Sequence, residues 1–255
     1  MEFRIARAAR VTGEMLERLV RESLRERGIR EPECVVCYGV GYNGRLPVLN
    51  AQCSSSNKMQ QGQALQTALG NEALQIIPIA GRTVITAFPS VARKIQHSKG
   101  RDMRLCRTPA GVRVVLANGR HDFFTPVVDS DTEYRAWVYR KRVLCVYEKR
   151  LTEPENNTKF GRNRANGWTF HALNTENIPE SVRRVAVAAV RCLGLDFGAV
   201  DILGKWDDAA HTDVHATVLE VNTAPGVSDE HRSGIVKLRD RVVKWIEAGC
   251  PTRND

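Results

Sequence analysis

Leu219-Glu220-Val221-Asn222-Thr223-Ala224-Pro225-Gly226 is the stretch whose reading decides the fold. Residues 219–222 read as the end of a strand, and Ala224-Pro225-Gly226 breaks it into a turn. Residues two apart on a strand share a face, so Glu220 and Asn222 offer a carboxylate and an amide oxygen about 7 Å apart. Residues 197–203, which include Asp201, read as the preceding strand. If 198–203 and 214–222 pair across the polar loop 205–213, Asp201, Glu220 and Asn222 bring hard oxygens to one spot. Completed by water and phosphate oxygens, that set suits magnesium. Solvated carboxylates at strand ends are the plainer alternative. Against it, both acids sit in apolar runs (Gly-Ala-Val-Asp-Ile-Leu and Val-Leu-Glu-Val-Asn), where an unpaired charge is costly.

Gly194-Leu195-Asp196-Phe197-Gly198-Ala199-Val200-Asp201, followed by the 219–226 stretch, resembles the paired metal-binding strands of the ATP-grasp carboxylate–amine ligases. The resemblance implies an α+β ATP-grasp fold with ATP between two sheet-bearing halves, preceded by a reduced α/β N-terminal region. It implies that Asp201, Glu220 and Asn222 hold Mg²⁺, two ions in all, against the ATP phosphates. Residues 1–72 are then the reduced N-terminal region, 73–128 the small (lid) subdomain, and 129–255 the large subdomain with the metal site. The likeness is to compact, phage-type members, which implies a host cytoplasm.

Composition fits a folded chain. Its 255 residues can bury a sizeable core, and 42% hydrophobic with 26% charged residues is a globular balance. No apolar run approaches a membrane span, and the first residues, Met1-Glu2-Phe3-Arg4, do not read as a signal peptide. Lys and Arg exceed Asp and Glu by nine, which draws anions such as a nucleotide, an acidic partner or nucleic acid. The excess forms no long basic run. Seven scattered cysteines, an odd number, point to a reducing, cytoplasmic compartment. Cys34-Val35-Val36-Cys37 has metal-like spacing, but its apolar surroundings favour buried thiols.

In chain order, a strand over 3–8 leads to a helix that Thr12 caps and Gly28 ends, with Glu14–Arg18 and Glu17–Arg21 pairs on its solvent side. A buried strand over 33–40 follows, then a helix opening at Asn57-Lys58-Met59. Strands are expected over 74–79, 84–87, 90–95, 112–117 and 122–127. Residues 133–139 and 143–150 form a hairpin across the turn Arg140-Lys141-Arg142. Alternation puts Arg135, Trp137 and Tyr139 on one face of its first strand, and Val143, Cys145, Tyr147 and Lys149 on one face of its second. Residues 151–165 read as a polar loop, 179–193 and 233–248 as amphipathic helices.

The remaining site residues come from the family likeness. Arg93 stands where the family has a strand lysine over the ATP phosphates, with Lys94 beside it. The following loop, Ile95-Gln96-His97-Ser98-Lys99-Gly100-Arg101-Asp102, places His97, Gly100 and Arg101 over the nucleotide. Asp122-Phe123-Phe124-Thr125-Pro126-Val127 resembles the linker whose backbone meets the adenine, so Pro126 joins the ATP-binding set. Glu-Tyr-Arg matches the family arginine that faces the active site, here Arg135, and Lys149 would reach the phosphates. A cross-strand salt bridge is the structural alternative for Arg135. Arg162 and Asn163, in an Arg-Asn…Asn-Gly-Trp stretch, would lie beside Arg135 near the transferred phosphate, with Trp168 and Phe170 as core anchors.

The function so implied is an ATP-dependent carboxylate–amine ligase working through an acyl phosphate, with an amino acid, peptide or protein end as substrate. Two alternatives stay open: an ATP-grasp kinase acting on a small acidic metabolite, and a non-catalytic basic module that binds nucleic acid.

Overall fold

The computed structural model describes residues 1–53, 57–80, 85–95, 103–152, 162, 166–207, 212–227 and 232–252. At the N-terminus, β1 (Glu2–Ile5), β2 (Val35–Tyr38) and β3 (Val48–Leu49) form a parallel sheet, with β2 in the middle. Helix α1 (Arg10–Glu26) connects β1 to β2, and α2 (Lys58–Leu69) follows β3. Cys34 and Cys37 enter different apolar clusters, and all seven cysteines are free thiols, so the Cys-x-x-Cys spacing gathers no metal site.

A second, antiparallel sheet runs β4 (Ile77–Pro78), β7 (Phe123–Pro126), β5 (Ser90–Arg93), β6 (Arg104–Cys106) in spatial order. Its helix is α3 (Pro109–Asn118), where a strand over 112–117 was expected. The valine run there looks extended, but local signals win: the Thr108 hydroxyl accepts from Gly111 N at 3.3 Å, Pro109 opens the first turn, and Gly119 closes it at φ 59°. Residues 85–87, in the expected strand 84–87, belong to no strand, and residue 84 lies outside the described residues.

The largest sheet is antiparallel, in the order β10-β9-β8-β11-β12, formed by β8 (Thr132–Tyr139), β9 (Arg142–Leu151), β10 (Trp168–Ala172), β11 (Phe197–Trp206) and β12 (Val214–Asn222). Strand alternation gives it two different faces. Tyr134, Ala136, Val138, Val200 and Ile202 point into a cluster with Val182, Val185 and Ala189 of α4 (Glu180–Cys192). Trp137, Tyr139, Phe197 and Ala199 point the other way, into a cluster with Ile235, Leu238 and Val242 of α5 (Arg232–Glu247) and Leu16, Val20 and Leu24 of α1. Each such buried Val, Leu or Ile side chain contributes about 1.5–3 kcal/mol. Gly234 lets α5 lie on Trp137; a Cβ there would stand 2.7 Å from Trp137 Cε2. Past Trp137 the same face turns polar at Arg135 and Glu133, and the candidate site is there.

Three local expectations are corrected. Thr12 lies inside α1, whose N-cap is Ala9; its hydroxyl instead accepts from Val227 N at 3.3 Å, tying α1 to the turn after β12. Glu14 pairs with Arg10 at 2.7 Å rather than with Arg18, which stands 4.0 Å from Glu22; the Glu17–Arg21 pair forms at 3.0 Å. Val143 is not on the face of Cys145 and Tyr147. A register shift puts Val138 opposite Val143 but Trp137 opposite Cys145, and the extra residue sends Val143 toward α4.

Candidate active site

Strand register builds the centre of the site. Asp201 of β11 lies opposite Glu220 of β12 on one side and opposite Arg135 of β8 on the other. Asn222 lies two pairs further on, opposite Ala199 and on the same face as Glu220. Three sequence-distant stretches therefore meet on one face of three adjacent strands. Arg135 Nε and Nη2 donate to the two oxygens of Asp201 at 2.7 and 2.8 Å, a bidentate pair between side chains only 17% and 7% exposed. Asn222 Nδ2 donates to Asp201 Oδ2 at 3.0 Å.

The second carboxylate has its own cation. Lys58 Nζ sits 2.9 Å from Glu220 Oε2. Lys58 opens α2, and that helix is held to β12 by an unusual contact. The Gln61 amide donates to Val221 O at 2.9 Å and accepts from Val221 N at 3.0 Å, standing in for a neighbouring strand on the sheet edge. Asn57 caps the helix by accepting from Gln60 N at 3.0 Å.

A third pair lies along β8 and β9. Lys149 donates to Glu133, both nearly buried, and also donates to Arg162 O at 3.1 Å. Arg162 Nη2 donates to Ser130 O at 2.8 Å and Ser130 Oγ at 3.0 Å, while its buried Nη1 has no partner among the described residues. Phe170 and Trp168 of β10 are not simply core anchors. Arg135 and Lys149 lie 4.9 and 5.3 Å from the Phe170 ring centre, and Arg162 lies 5.2 Å from Trp168. The rings form an aromatic floor under three cations.

Pairing and burial set the charge states. Burial would raise the Asp201 pKa, but the Arg135 and Lys149 charges and the Arg135 hydrogen bonds hold it below the usual carboxylate range. Burial and the nearby Asp201 would raise Glu220 as well, but Lys58 holds its pKa below the usual range. Glu133 behaves oppositely: burial outweighs Lys149 and raises it. Arg93, at the end of β5, brings the smaller sheet to the site. Its Nε donates to Thr125 Oγ1 at 3.1 Å, and its charge acts on Glu220 and Glu133, although burial lowers its own pKa.

Comparison with known proteins places this arrangement. No protein-family model matches the chain. Among solved structures, the ATP-grasp ligase PsnB with its minimal precursor superposes at a TM-score of 0.65 and 14% identity, covering 95% of this chain and 98% of that one. D-alanine–D-alanine ligase from Bacillus anthracis complexed with ATP superposes at 0.63 and 13% identity, over 98% of this chain and 97% of that one. The chain has the ATP-grasp fold. Among curated proteins, ribosomal protein bS6–L-glutamate ligase from Escherichia coli O139:H28 is 26% identical over 161 residues, 59% of this chain and 51% of the relative. A probable alpha-L-glutamate ligase from Enterobacter sp. (strain 638) is 29% identical over 106 residues, 42% of this chain and 33% of the relative. The chain thus spans about half the length, or less, of these curated relatives.

Within the ATP-grasp fold, the described site residues fall into two groups. Asp201, Glu220, Asn222, Arg135, Lys149 and Arg93 converge as described, with Arg162 joined through its carbonyl to Lys149. Lys94 follows β5 directly, and the charge of Arg93 beside it acts on Glu220. Pro126 ends β7 opposite Ser90, so the expected linker 122–127 is mostly a strand of the smaller sheet, with Phe123 buried in it. His97, Gly100, Arg101 and Asn163 lie outside the described residues. Sequence reasoning missed Lys58, Gln61 and Glu133. Glu133 had a signal, being two residues before Arg135 on one strand face. Lys58 and Gln61 had none, because only the packing of α2 on β12 brings them in.

Proposed function

We propose that the chain is an ADP-forming carboxylate–amine ligase that makes an amide or peptide bond with Mg-ATP through an acyl phosphate. The observation that carries this is the register pair Asp201–Glu220, two carboxylates held ionised next to Asn222, with Arg135 and Arg93 around them. The donor set fits magnesium: hard oxygens from two carboxylates and an amide, on adjacent strands. Asp201, Glu220 and Asn222 would hold the metal, in two ions, after Lys58 lets go of Glu220 and the Asn222 amide turns its oxygen inward.

When bound, Mg-ATP supplies the γ-phosphoryl group that turns a carboxylate, whose own leaving group would be oxide, into a competent acyl donor. The chain's residues do the rest. Arg135 uses two of its five N–H groups on Asp201, which leaves a guanidinium edge to neutralise charge developing on the carboxylate substrate. The Nη1 of Arg162, without a partner among the described residues, supports a second anion contact there. Arg93, Lys94, His97, Gly100, Arg101, Pro126 and Lys149 would bind ATP, and Asn163 would stand by the transferred group. The names of the relatives, a ligase of glutamate to a ribosomal protein and ligases bound to precursor peptides, support an amino acid and a peptide or protein end as substrates. The three sheets support a division into 1–72, 73–128 and 129–255. Free thiols support a reducing cytoplasm, and the Arg-Asn…Asn-Gly-Trp stretch supports a compact phage-type member. No helix among the described residues is long and apolar enough to cross a membrane.

The test is a screen of amino acids and peptides for Mg-ATP-dependent release of ADP and phosphate, with mass spectrometry of the products. A new amide with free phosphate is the expected result; a phosphorylated product without phosphate release would make the chain a kinase. Glu220→Gln and Asp201→Asn should each lose on the order of 100-fold in turnover, about 2.7 kcal/mol. Undiminished turnover in both would remove the metal assignment.

A further inference from the structure

The polar site is not the only charged concavity. A groove of about 1100 Å³ opens where α4, α5, the end of α2 and the β8–β9 turn meet. Among the described residues, eight lysines and arginines line it against two carboxylates, Glu180 and Asp240. Glu180 lies 3.9 Å from Arg183, itself a groove residue, and Asp240 lies 2.7 Å from Arg239, outside the groove. Among the described residues Lys141, Arg142, Arg241 and Lys244 pair with no carboxylate. Lys141, Arg142 and Lys244 are exposed. Between the cations the lining is aliphatic, with Leu69, Val143, Leu144 and Val187 half-buried.

This groove shares no residue with the site around Asp201. Val143 and Val187 belong to the α4 side of the large sheet, whereas Arg135 and Asp201 lie on the opposite face. The β8–β9 turn is four residues beyond Arg135, about 13 Å along the strand. The register shift that turned Val143 toward α4 helps to form the groove wall.

We infer that this groove docks an acidic polypeptide segment whose carboxylates meet the cationic rim and whose aliphatic side chains rest on its floor. Clustered arginines and lysines with apolar surface between them suit an acidic motif in which charged and apolar residues alternate. Single-stranded nucleic acid is the less suitable polyanion, because it needs aromatic platforms for its bases and, among the described residues, no aromatic side chain lines this groove. The inference stands whether or not the ligase reaction does, since it uses none of that site's residues.

The test measures fluorescence anisotropy of a short fluorescein-labelled peptide of alternating glutamate and leucine on the full chain, at about 0.15 M salt, where long-range attraction is screened. Oligo(dT) of equal length is the competing probe. Arg142→Glu/Arg241→Glu/Lys244→Glu should weaken peptide binding roughly 10-fold or more, the effect of removing several partly exposed ion pairs at once. Arg7→Glu/Arg25→Glu/Arg113→Glu, on exposed sites elsewhere, makes the same change in net charge and should leave binding within about threefold of wild type. Arg142→Gln/Arg241→Gln/Lys244→Gln serves if the charge-reversed chain does not fold, and should weaken binding in the same direction. Equal loss in the groove and control variants would show that net charge alone attracts the peptide and overturn the inference. Tighter, groove-dependent binding of oligo(dT), or no saturable peptide binding, would overturn it too.

Discussion

Replacing Arg135 by lysine keeps a positive charge at the centre of the site but removes the planar fork that grips Asp201. In the native pair, Nε and Nη2 reach separate carboxylate oxygens at 2.7 and 2.8 Å, and both side chains are largely out of solvent. Lysine can hold one of these oxygens, so the variant loses one charge-assisted hydrogen bond, about 1.5–3 kcal/mol. Arg135→Ala loses both and leaves Asp201 buried without its main counter-charge, which costs about 3–5 kcal/mol. Arg135→Ala/Asp201→Ala strands no charge and should be less destabilised than Arg135→Ala alone. Guanidinium unfolding of the three proteins measures this order. Catalysis separates the roles further: Arg135→Lys should lower kcat about 10- to 1,000-fold, as for one oxyanion contact, with little change in nucleotide Kd. Stability and turnover should be read on the same preparation. A destabilised Arg135→Lys with normal kcat would refute the catalytic assignment and leave Arg135 as a scaffold cation. If Arg135→Ala were as stable as the double variant, the account of the buried pair would also be wrong.

Three further outcomes follow from the structure. Lys58→Met removes the cation on Glu220 and should cost about 2 kcal/mol without metal, while Mn²⁺ should bind more tightly because no ammonium competes for the carboxylate; melting curves with and without Mn²⁺ test both directions. Asp213 accepts from Ser181 N at 3.2 Å and Ser181 Oγ at 2.6 Å at the start of α4, and although burial opposes it, these bonds lower its pKa. A depressed carboxyl stabilises above its unfolded value and loses that contribution as pH falls through the folded one. Asp213→Asn should therefore cost about 1 kcal/mol in urea unfolding at neutral pH, with the gap narrowing below about pH 4. Gly234→Ala puts a Cβ within 3.0 Å of three Trp137 ring atoms, so α5 or the ring must shift, and a loss of about 1–3 kcal/mol is expected by thermal melting. Unchanged stability there would mean that the α5–β8 contact is looser than it looks.

What the sequence determined by itself was local or periodic. Strand alternation in 197–203 and 214–222 implied both strands and the shared face of Glu220 and Asn222, because a period of two follows from the backbone whatever packs on it. Asn57 before α2, Pro179 before α4 and the apolar stripe of α4 were legible for the same reason: a capping side chain, a fixed φ and a 3.6-residue repeat act within a few residues. Local signals also misled where two competed, as in 112–117, where the valines looked extended but Thr108 and Gly119 close a helix. Tertiary structure alone decided which charges meet. Nothing near Lys58 in the sequence points to Glu220; the two are joined because the Gln61 amide completes the ladder of an edge strand. The Arg135–Asp201 pair likewise depends on β8 and β11 being neighbours in that register. The side of the sheet to which Val143 belongs turned on one extra residue opposite Trp137 and Val138. Hydrogen-bond register and burial are properties of several strands at once, and no single stretch of chain contains them.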